Sequence, residues 1–211
     1  MMYLLVAPLA YLLGAIPWGF IVTRLARGID IRRYGSGRTG MANVLRTAGG
    51  RWAAVVAALD VGKGVLAVLV ARWLIHTEVS EVVAGLLVLA GHNWSVFLKF
   101  KAGRGATVGA GALLVMAPVT FPIVIAVFIV GTLISKYISV GSIAAVLTGL
   151  AAYVAFAAAG WYSWTYLWFT ATGSAIIIWQ HRDNIVRLVR GKERKVGARA
   201  EPAPIAGRES V

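Results

Sequence analysis

The sequence has no cysteine, and only 8 acidic residues accompany 21 lysines and arginines. Without cysteine it has no disulfide, no thiol nucleophile and no thiolate metal site. Charge of either sign is scarce. Asp, Glu, Lys and Arg make up 14% of the 211 residues, against about a quarter in ordinary soluble domains. Histidine is almost absent too, and His76, His92 and His181 stand apart from sequence partners. No Ser–His–acid triad and no metal cluster is predicted from such isolated residues. His76 and Glu81 in HTEVSE have the H-x4-acid spacing of a soluble acyltransferase pair. The acid is glutamate, and the stretch falls on the face away from the polar loops, so this pairing is excluded.

What is present is apolar: 59% of the residues are hydrophobic, with mean hydropathy +0.78. Apolar runs near 3–24, 52–75, 81–98, 106–117, 119–135, 140–159 and 162–180 approach the length of a bilayer crossing, for which about 20 residues are needed. They predict an all-α, polytopic integral membrane protein of about seven transmembrane helices. The run 106–117 is short and reads as tilted, half-buried or re-entrant. Residues 1–195 form one membrane domain, and 196–211, with Gly197, Pro202, Pro204 and Gly207, read as a disordered cytoplasmic tail. The opening MMYLLVAPLAYLLGAIPWGF lacks a basic leader and a cleavage site, so it reads as a retained span.

The net charge of +13 is explained by topology rather than by nucleic acid. Arginines 24 to 51, then Lys99, Lys101 and Arg104, then Lys136, then residues 182–195 follow alternate spans. Seven crossings put all of them on one face, which the positive-inside rule makes cytoplasmic. The N-terminus is then outside and the C-terminus inside. Arg72 is the exception, expected to snorkel near the outer end of its span.

That basic face also carries GSGRTGMANVLR (35–46), KFKAGRGATVGAG (99–111), SKYISVGS (135–142) and HRDNIVRLVRGKE (181–193). The first fits G-x-G-x-x-G, but it lies between membrane spans and lacks the strand and the downstream acid of a dinucleotide site. Two readings of this loop stay open. Gly35, Gly37 and Gly40 free backbone N–H groups for an anion, with Ser36, Thr39, Asn43 and Arg46 as further donors. Alternatively it is a flexible connection whose arginines set topology. The second loop favours the anion reading. Arg104 lies between Gly103 and Gly105, and Thr107 opens a helix, whose N-terminus suits phosphate. Two such loops on one face predict a ligand with more than one phosphate, or two phosphorylated ligands.

Asp60 and Lys63, in LDVGKGV, share a helix face within a span. Either they pair to tie helices together, or Lys63 reaches toward a bound phosphate. His181, Asn184 and Arg187 recur every three residues where the last span ends, either to meet an anion together or to serve structure.

The ordered blocks GSGRTGMANVLR, DVGKG (60–64), GHNWSVFLKFKAGRGAT (91–107), SVGS (139–142) and HRDNIVRLVRGKE resemble the bacterial acyl-phosphate:glycerol-3-phosphate acyltransferase family, PlsY. The resemblance covers about residues 3–194. It implies a seven-span enzyme of the bacterial inner membrane. The implied reaction moves a fatty acyl group from acyl phosphate, not acyl-CoA, to the 1-hydroxyl of sn-glycerol 3-phosphate, giving lysophosphatidic acid. It implies no cofactor, no metal and no obligate protein partner, only the two substrates and membrane lipid.

Carried over by the resemblance, Ser36 and the first loop's backbone cradle acyl phosphate, while Arg46, Arg104, Ser142, His181 and Asn184 bind glycerol phosphate. The catalytic set is then Ser36, Arg46, Arg104, His181 and Asn184. Gly35, Gly37, Thr39, Gly40, Asn43, Lys63, Gly103, Gly105, Thr107, Ser139 and Ser142 form the binding set, with Asp60 in support. No protein base is evident, which fits a substrate phosphate as proton acceptor and catalysis by positioning and charge. The chain departs from the family pattern at Arg38, Met41, Ala42, Ser95, Ala102 and Arg104. The competing function class is a transporter or binding protein for an organic phosphate, which would place polar breaks at midplane with access from both sides.

Overall fold

The computed structural model describes residues 2–200. Ten helices follow in order: α1 Met2–Ala15, α2 Trp18–Arg27, α3 Met41–Thr47, α4 Gly50–Ile75, α5 Glu78–Asn93, α6 Ala106–Met116, α7 Thr120–Ser135, α8 Ile138–Ala158, α9 Leu167–Gln180 and α10 Arg182–Val189. The seven apolar runs all become helix, with two adjustments. Pro17, which lacks an N–H and keeps Ile16 out of helical geometry, divides the first run into α1 and α2. The fourth run yields α6, only 11 residues, about 16 Å against the ~30 Å of a bilayer core. Four runs, 2–27, 50–75, 78–98 and 138–158, are long and apolar enough to cross a membrane, while α6 and α7 are shorter apolar helices.

Helices in lipid gain little from burying apolar area against one another, so close packing must hold them. Two of the main pairings rest on reciprocal glycines. Where α1 crosses α5, a Cβ on Gly14 would lie 2.1 Å from the Val88 carbonyl oxygen, and one on Gly91 2.1 Å from that of Tyr11. Where α4 crosses α6, a Cβ on Gly64 would lie 2.3 Å from the Val108 oxygen, and one on Gly111 2.1 Å from that of Val61. α7 packs along α8.

The end of the bundle away from the glycine loops is tied by a polar knot. Arg72 does not reach outward alone. Its Nε and Nη2 donate to the two Glu81 oxygens at 2.9 and 2.7 Å, and Tyr166 Oη donates to Glu81 at 2.9 Å. Glu81, part of the excluded HTEVSE motif, is thus a buried counter-ion for Arg72.

Residues 196–200, expected in a disordered tail, run back across the loop-bearing end. The Val196 N–H donates to the Lys136 carbonyl at 2.8 Å and the Ala200 N–H to that of Arg46 at 3.1 Å. The remainder of the expected tail, 201–211, lies outside the described residues.

Candidate active site

The two glycine loops meet at that end of the bundle. The Thr39 N–H donates to the Ala102 carbonyl at 3.4 Å, and Thr39 itself is buried. Asn43, on α3, organises the first loop. Its Nδ2 lies 3.0 Å from the Tyr34 oxygen and 2.9 Å from that of Arg38, while its Oδ1 accepts from the Ser36 N–H at 3.2 Å. With its amide so committed, Asn43 shapes the loop rather than offering a free donor. Ser36 Oγ accepts from the Arg38 N–H at 3.4 Å.

The second loop reaches α6 through Gly105, whose φ of 85° a side chain would oppose. Gly105 also presses against Leu89 and Asn93, with a Cβ there 2.2 Å from Leu89 Cδ1. The first N–H groups of α6 have no partner within the helix, and Gly105, Ala106 and Thr107 line a cavity.

That cavity, about 310 Å³, gathers Gly40, Arg46, Arg104, Gly105, Thr107, Ser139, Ser142, His181 and Asn184 from the expected set. Part of Asn43 also lines it. Gly35, Ser36, Gly37, Thr39 and Gly103 do not line it. Arg38, Met41, Ala42 and His92 line it as well. Three of those four, Arg38, Met41 and Ala42, are positions where the chain departs from the family pattern.

The three arginines enter from different elements. Arg46 donates through Nη1 to the Ala42 oxygen and through Nη2 to the Arg194 oxygen, both at 3.2 Å, leaving its buried Nε unpaired. Arg104 donates through Nε to the Gln180 oxygen at 3.1 Å, so its two Nη groups remain for the cavity. Burial, with Arg38 and Arg187 nearby, lowers the Arg104 guanidinium to about 10, still charged at pH 7. Burial lowers Arg38 and Arg46 in the same direction. Such mutual crowding of cations on one cavity is costly unless an anion joins them.

From the last span, His181 places Nδ1 2.8 Å from the Ile177 carbonyl oxygen. A carbonyl can only accept, so Nδ1 carries the ring proton and Nε2 is bare. Burial holds the His181 pKa near about 4, with Arg104 and Arg38 pushing the same way. Asn184 Nδ2 donates to Glu193 Oε1 at 2.8 Å, while its Oδ1 is buried without a partner. Arg187 turns to Glu193 at 2.9 Å instead of joining His181 at the cavity. Ser139 Oγ is likewise buried and unpaired.

Lys63 does not reach the cavity. Its Nζ lies 2.9 and 3.0 Å from the Gly14 and Ile16 oxygens, carbonyls left without helical donors by the break at Pro17, and 3.0 Å from Asp60 Oδ1. It therefore fastens α4 to the α1–α2 break. His92, expected to be isolated, completes this cluster with Nδ1 3.0 Å from Lys63 Nζ. No spacing rule links residues 63 and 92, because the contact is made across a helix crossing. Glu193 was also without an assigned role, its partners lying on the turn formed only once α10 folds. Among the described residues no group of three His, Asp or Glu side chains gathers to hold a metal.

The opposite wall of the cavity is apolar: Val124, Ile125, Phe128 and Ile129 of α7, with Val146 of α8. A narrower groove shares Ala106, Ala110, Ala145 and Val146 with it and runs between α6, α8 and α9 to Phe169. The site thus joins a cationic, hydrogen-bonding end to an apolar channel within the bundle.

The family pattern described as glycerol-3-phosphate acyltransferase matches residues 4–191. Glycerol-3-phosphate acyltransferase 3 of Dehalococcoides mccartyi is 43% identical over 209 residues, covering 93% of this chain and 97% of the relative. The glycerol-3-phosphate acyltransferase of Thermoanaerobacter sp. is 42% identical over 197 residues, covering 93% and 97%. Two crystal structures of PlsY (YgiH), an integral membrane glycerol 3-phosphate acyltransferase, share the fold. The glycerol 3-phosphate form superposes with TM-score 0.85 at 31% identity, covering 93% of this chain and 96% of that one. The lysophosphatidic acid form gives 0.83 at 30%, covering 94% and 97%. Sequence and fold agree over nearly the whole chain, which belongs to the glycerol-3-phosphate acyltransferase family.

Proposed function

We propose that this protein transfers a fatty acyl group from acyl phosphate to the 1-hydroxyl of sn-glycerol 3-phosphate, yielding lysophosphatidic acid and inorganic phosphate. It acts in the bacterial cytoplasmic membrane, with the N-terminus outside and the loop-bearing end in the cytoplasm. The observation that carries this reading is the shape of one cavity: three arginines and a helix N-terminus at one end, an apolar groove at the other. An acyl phosphate needs both ends, and glycerol 3-phosphate needs the first.

In this reading the bond formed joins the glycerol 1-oxygen to the acyl carbonyl carbon, and the bond broken joins that carbon to the phosphate oxygen. The hydroxyl proton leaves with the departing phosphate. The protein's share is placement and charge. Arg46, Arg104 and the open N–H groups of α6 hold phosphoryl oxygens. The bare Nε2 of His181 and the unpaired Oδ1 of Asn184 accept from glycerol hydroxyls and orient them. A His181 pKa near about 4 makes it a weak base, so its part is to aim the hydroxyl rather than to carry its proton. Gly35, Ser36, Gly37 and Gly103 do not line the cavity and become contacts only if their loops move onto substrate. The acyl chain lies along α7 and α8.

The test is acyl transfer by the purified protein in lipid, with labelled glycerol 3-phosphate and either palmitoyl phosphate or palmitoyl-CoA. Labelled lysophosphatidic acid from palmitoyl phosphate alone is expected. Product from palmitoyl-CoA alone would overturn the donor, and no product from folded protein would overturn the reaction.

A further inference from the structure

His92 lies in the last turn of α5 beside the cavity, and the reaction described above leaves it without a task. Its two ring nitrogens meet different surroundings. Nδ1 is 3.0 Å from Lys63 Nζ but 3.6 Å from Asp60 Oδ1, so the group within hydrogen-bonding reach is the amine. Asp60 is buried and meets Lys63 at 3.0 Å. A buried carboxylate needs a cation, which keeps Lys63 an ammonium. Two of the ammonium protons point to the Gly14 and Ile16 carbonyls. The third faces His92 Nδ1, while Asp60 Oδ1 meets Nζ as an ion pair without hydrogen-bond geometry. A ring nitrogen facing an ammonium offers its lone pair, so the His92 proton sits on Nε2.

Nε2 is the edge turned toward the second glycine loop. A Cβ at Gly103 would fall 1.8 Å from it, so only glycine lets the loop pack against that edge. His92 lines the cavity together with Arg104, Gly105 and Thr107. Its Nε2 has no acceptor among the described residues. His181, on the same cavity, holds the opposite tautomer, with Nδ1 protonated against Ile177.

We propose that His92 is a further substrate-binding residue: a neutral imidazole, fixed by Lys63 and Asp60 as an Nε2–H donor, that hydrogen-bonds a phosphoryl oxygen at the N-terminus of α6. The buried pair thereby reaches the site through His92, although neither of its members touches the cavity. A neutral donor suits this place, since it adds no further cation to Arg38, Arg46 and Arg104. The inference rests on the acyl-transfer reading for its substrate, but the tautomer does not.

The experiment has a spectroscopic arm and a kinetic one. Protein labelled with nitrogen-15 histidine has only three such residues, and His92→Gln identifies the signals of His92. The wild-type ring is expected to show a protonated Nε2 and a bare Nδ1, and the Nε2 signal is expected to move with glycerol 3-phosphate or inorganic phosphate. In the kinetic arm, His92→Phe should lose roughly ten- to a hundredfold in turnover efficiency, the range for a hydrogen bond to a charged group. His92→Gln, whose amide nitrogen reaches the Nε2 position, should recover most of that loss. A raised KM for glycerol 3-phosphate would assign the bond to the acceptor's phosphate, and a lowered kcat at unchanged KM to the donor's. A ring protonated on Nδ1, or a Gln variant that melts like wild type yet performs no better than Phe, overturns the proposal. Wild-type protein without acyl transfer, but with the Nε2 response to phosphate intact, would fault the reaction and spare the site.

Discussion

The Glu193 carboxylate joins Asn184 Nδ2 at 2.8 Å to Arg187 Nε at 2.9 Å, so a residue just past the end of α10 sets the aim of the Asn184 amide. With Nδ2 held, Oδ1 is the end left for the cavity. Glu193→Ala should therefore harm both stability and turnover. It leaves Asn184 free to flip and the half-buried Arg187 uncompensated, at a cost of about 1–3 kcal/mol. Glu193→Gln keeps an acceptor for Asn184 and should fall between. Thermal unfolding in detergent and acyl transfer read the two effects, and an alanine variant that melts and turns over normally would refute the linkage.

Arg104 asks whether charge alone suffices at the second loop. Its Nε is engaged with the Gln180 oxygen at 3.1 Å, and the residue lines the cavity. A lysine has one nitrogen and cannot hold the carbonyl and a phosphate from the same position. Arg104→Lys should raise KM for glycerol 3-phosphate at least about tenfold, the factor for one charged hydrogen bond, with stability little changed. Unaltered kinetics would mean that a point charge is enough.

Asp60 and Lys63 invite a double-mutant cycle. Removing either partner strands the other in the bundle, and breaking a buried pair costs about 3–5 kcal/mol. Asp60→Leu and Lys63→Met are each expected to lower the melting temperature sharply, while the double variant should recover much of it. Recovery of stability without recovery of activity is the expected result, because His92 loses the ammonium that fixes its proton. Additive losses of stability would show that the two groups act separately.

The apolar runs were readable because backbone polarity forces helices in lipid wherever about 20 apolar residues occur together. Pro17 marked its break in the sequence, yet what that break does was not legible. The carbonyls it releases are met by Lys63, 47 residues or more away, and a helix-face rule connects Lys63 only to Asp60. The loops were legible as anion sites from glycine spacing. The division of labour within them was not. Asn43 looked like a free donor, but its amide is consumed by four nearby backbone groups, a pattern that exists only in the folded loop. Arg187 shared a helical spacing with His181 and Asn184, and Glu193 drew it away.

The knot of Arg72, Glu81 and Tyr166 at the far end offers a control. Nothing there lines the cavity, so Glu81→Ala should destabilise without touching KM. Arg72 is 44% exposed on its side chain while Glu81 is 6%, so solvent screens the pair and the expected loss is about 1–2 kcal/mol. A change in substrate affinity at unchanged stability would contradict the separation of the two ends.

His181 makes stability depend on pH in a stated direction. Its pKa lies near about 4 in the folded protein, against the ordinary 6.5. Between those values the unfolded chain binds a proton that the folded one refuses, so stability rises with pH across this window. The contribution is complete above about 6.5 and is lost as pH falls toward 4. His181→Gln removes the titration, and the wild-type advantage over that variant should shrink as the melting pH is lowered from 7 to 4.5. The ring should also titrate by NMR near 4, with Nδ1 protonated throughout because the Ile177 carbonyl accepts from it at 2.8 Å. A midpoint near 6.5 would mean that the imidazole is solvated rather than buried, and would refute both the pH dependence and the closed wall in which the ring aims a glycerol hydroxyl.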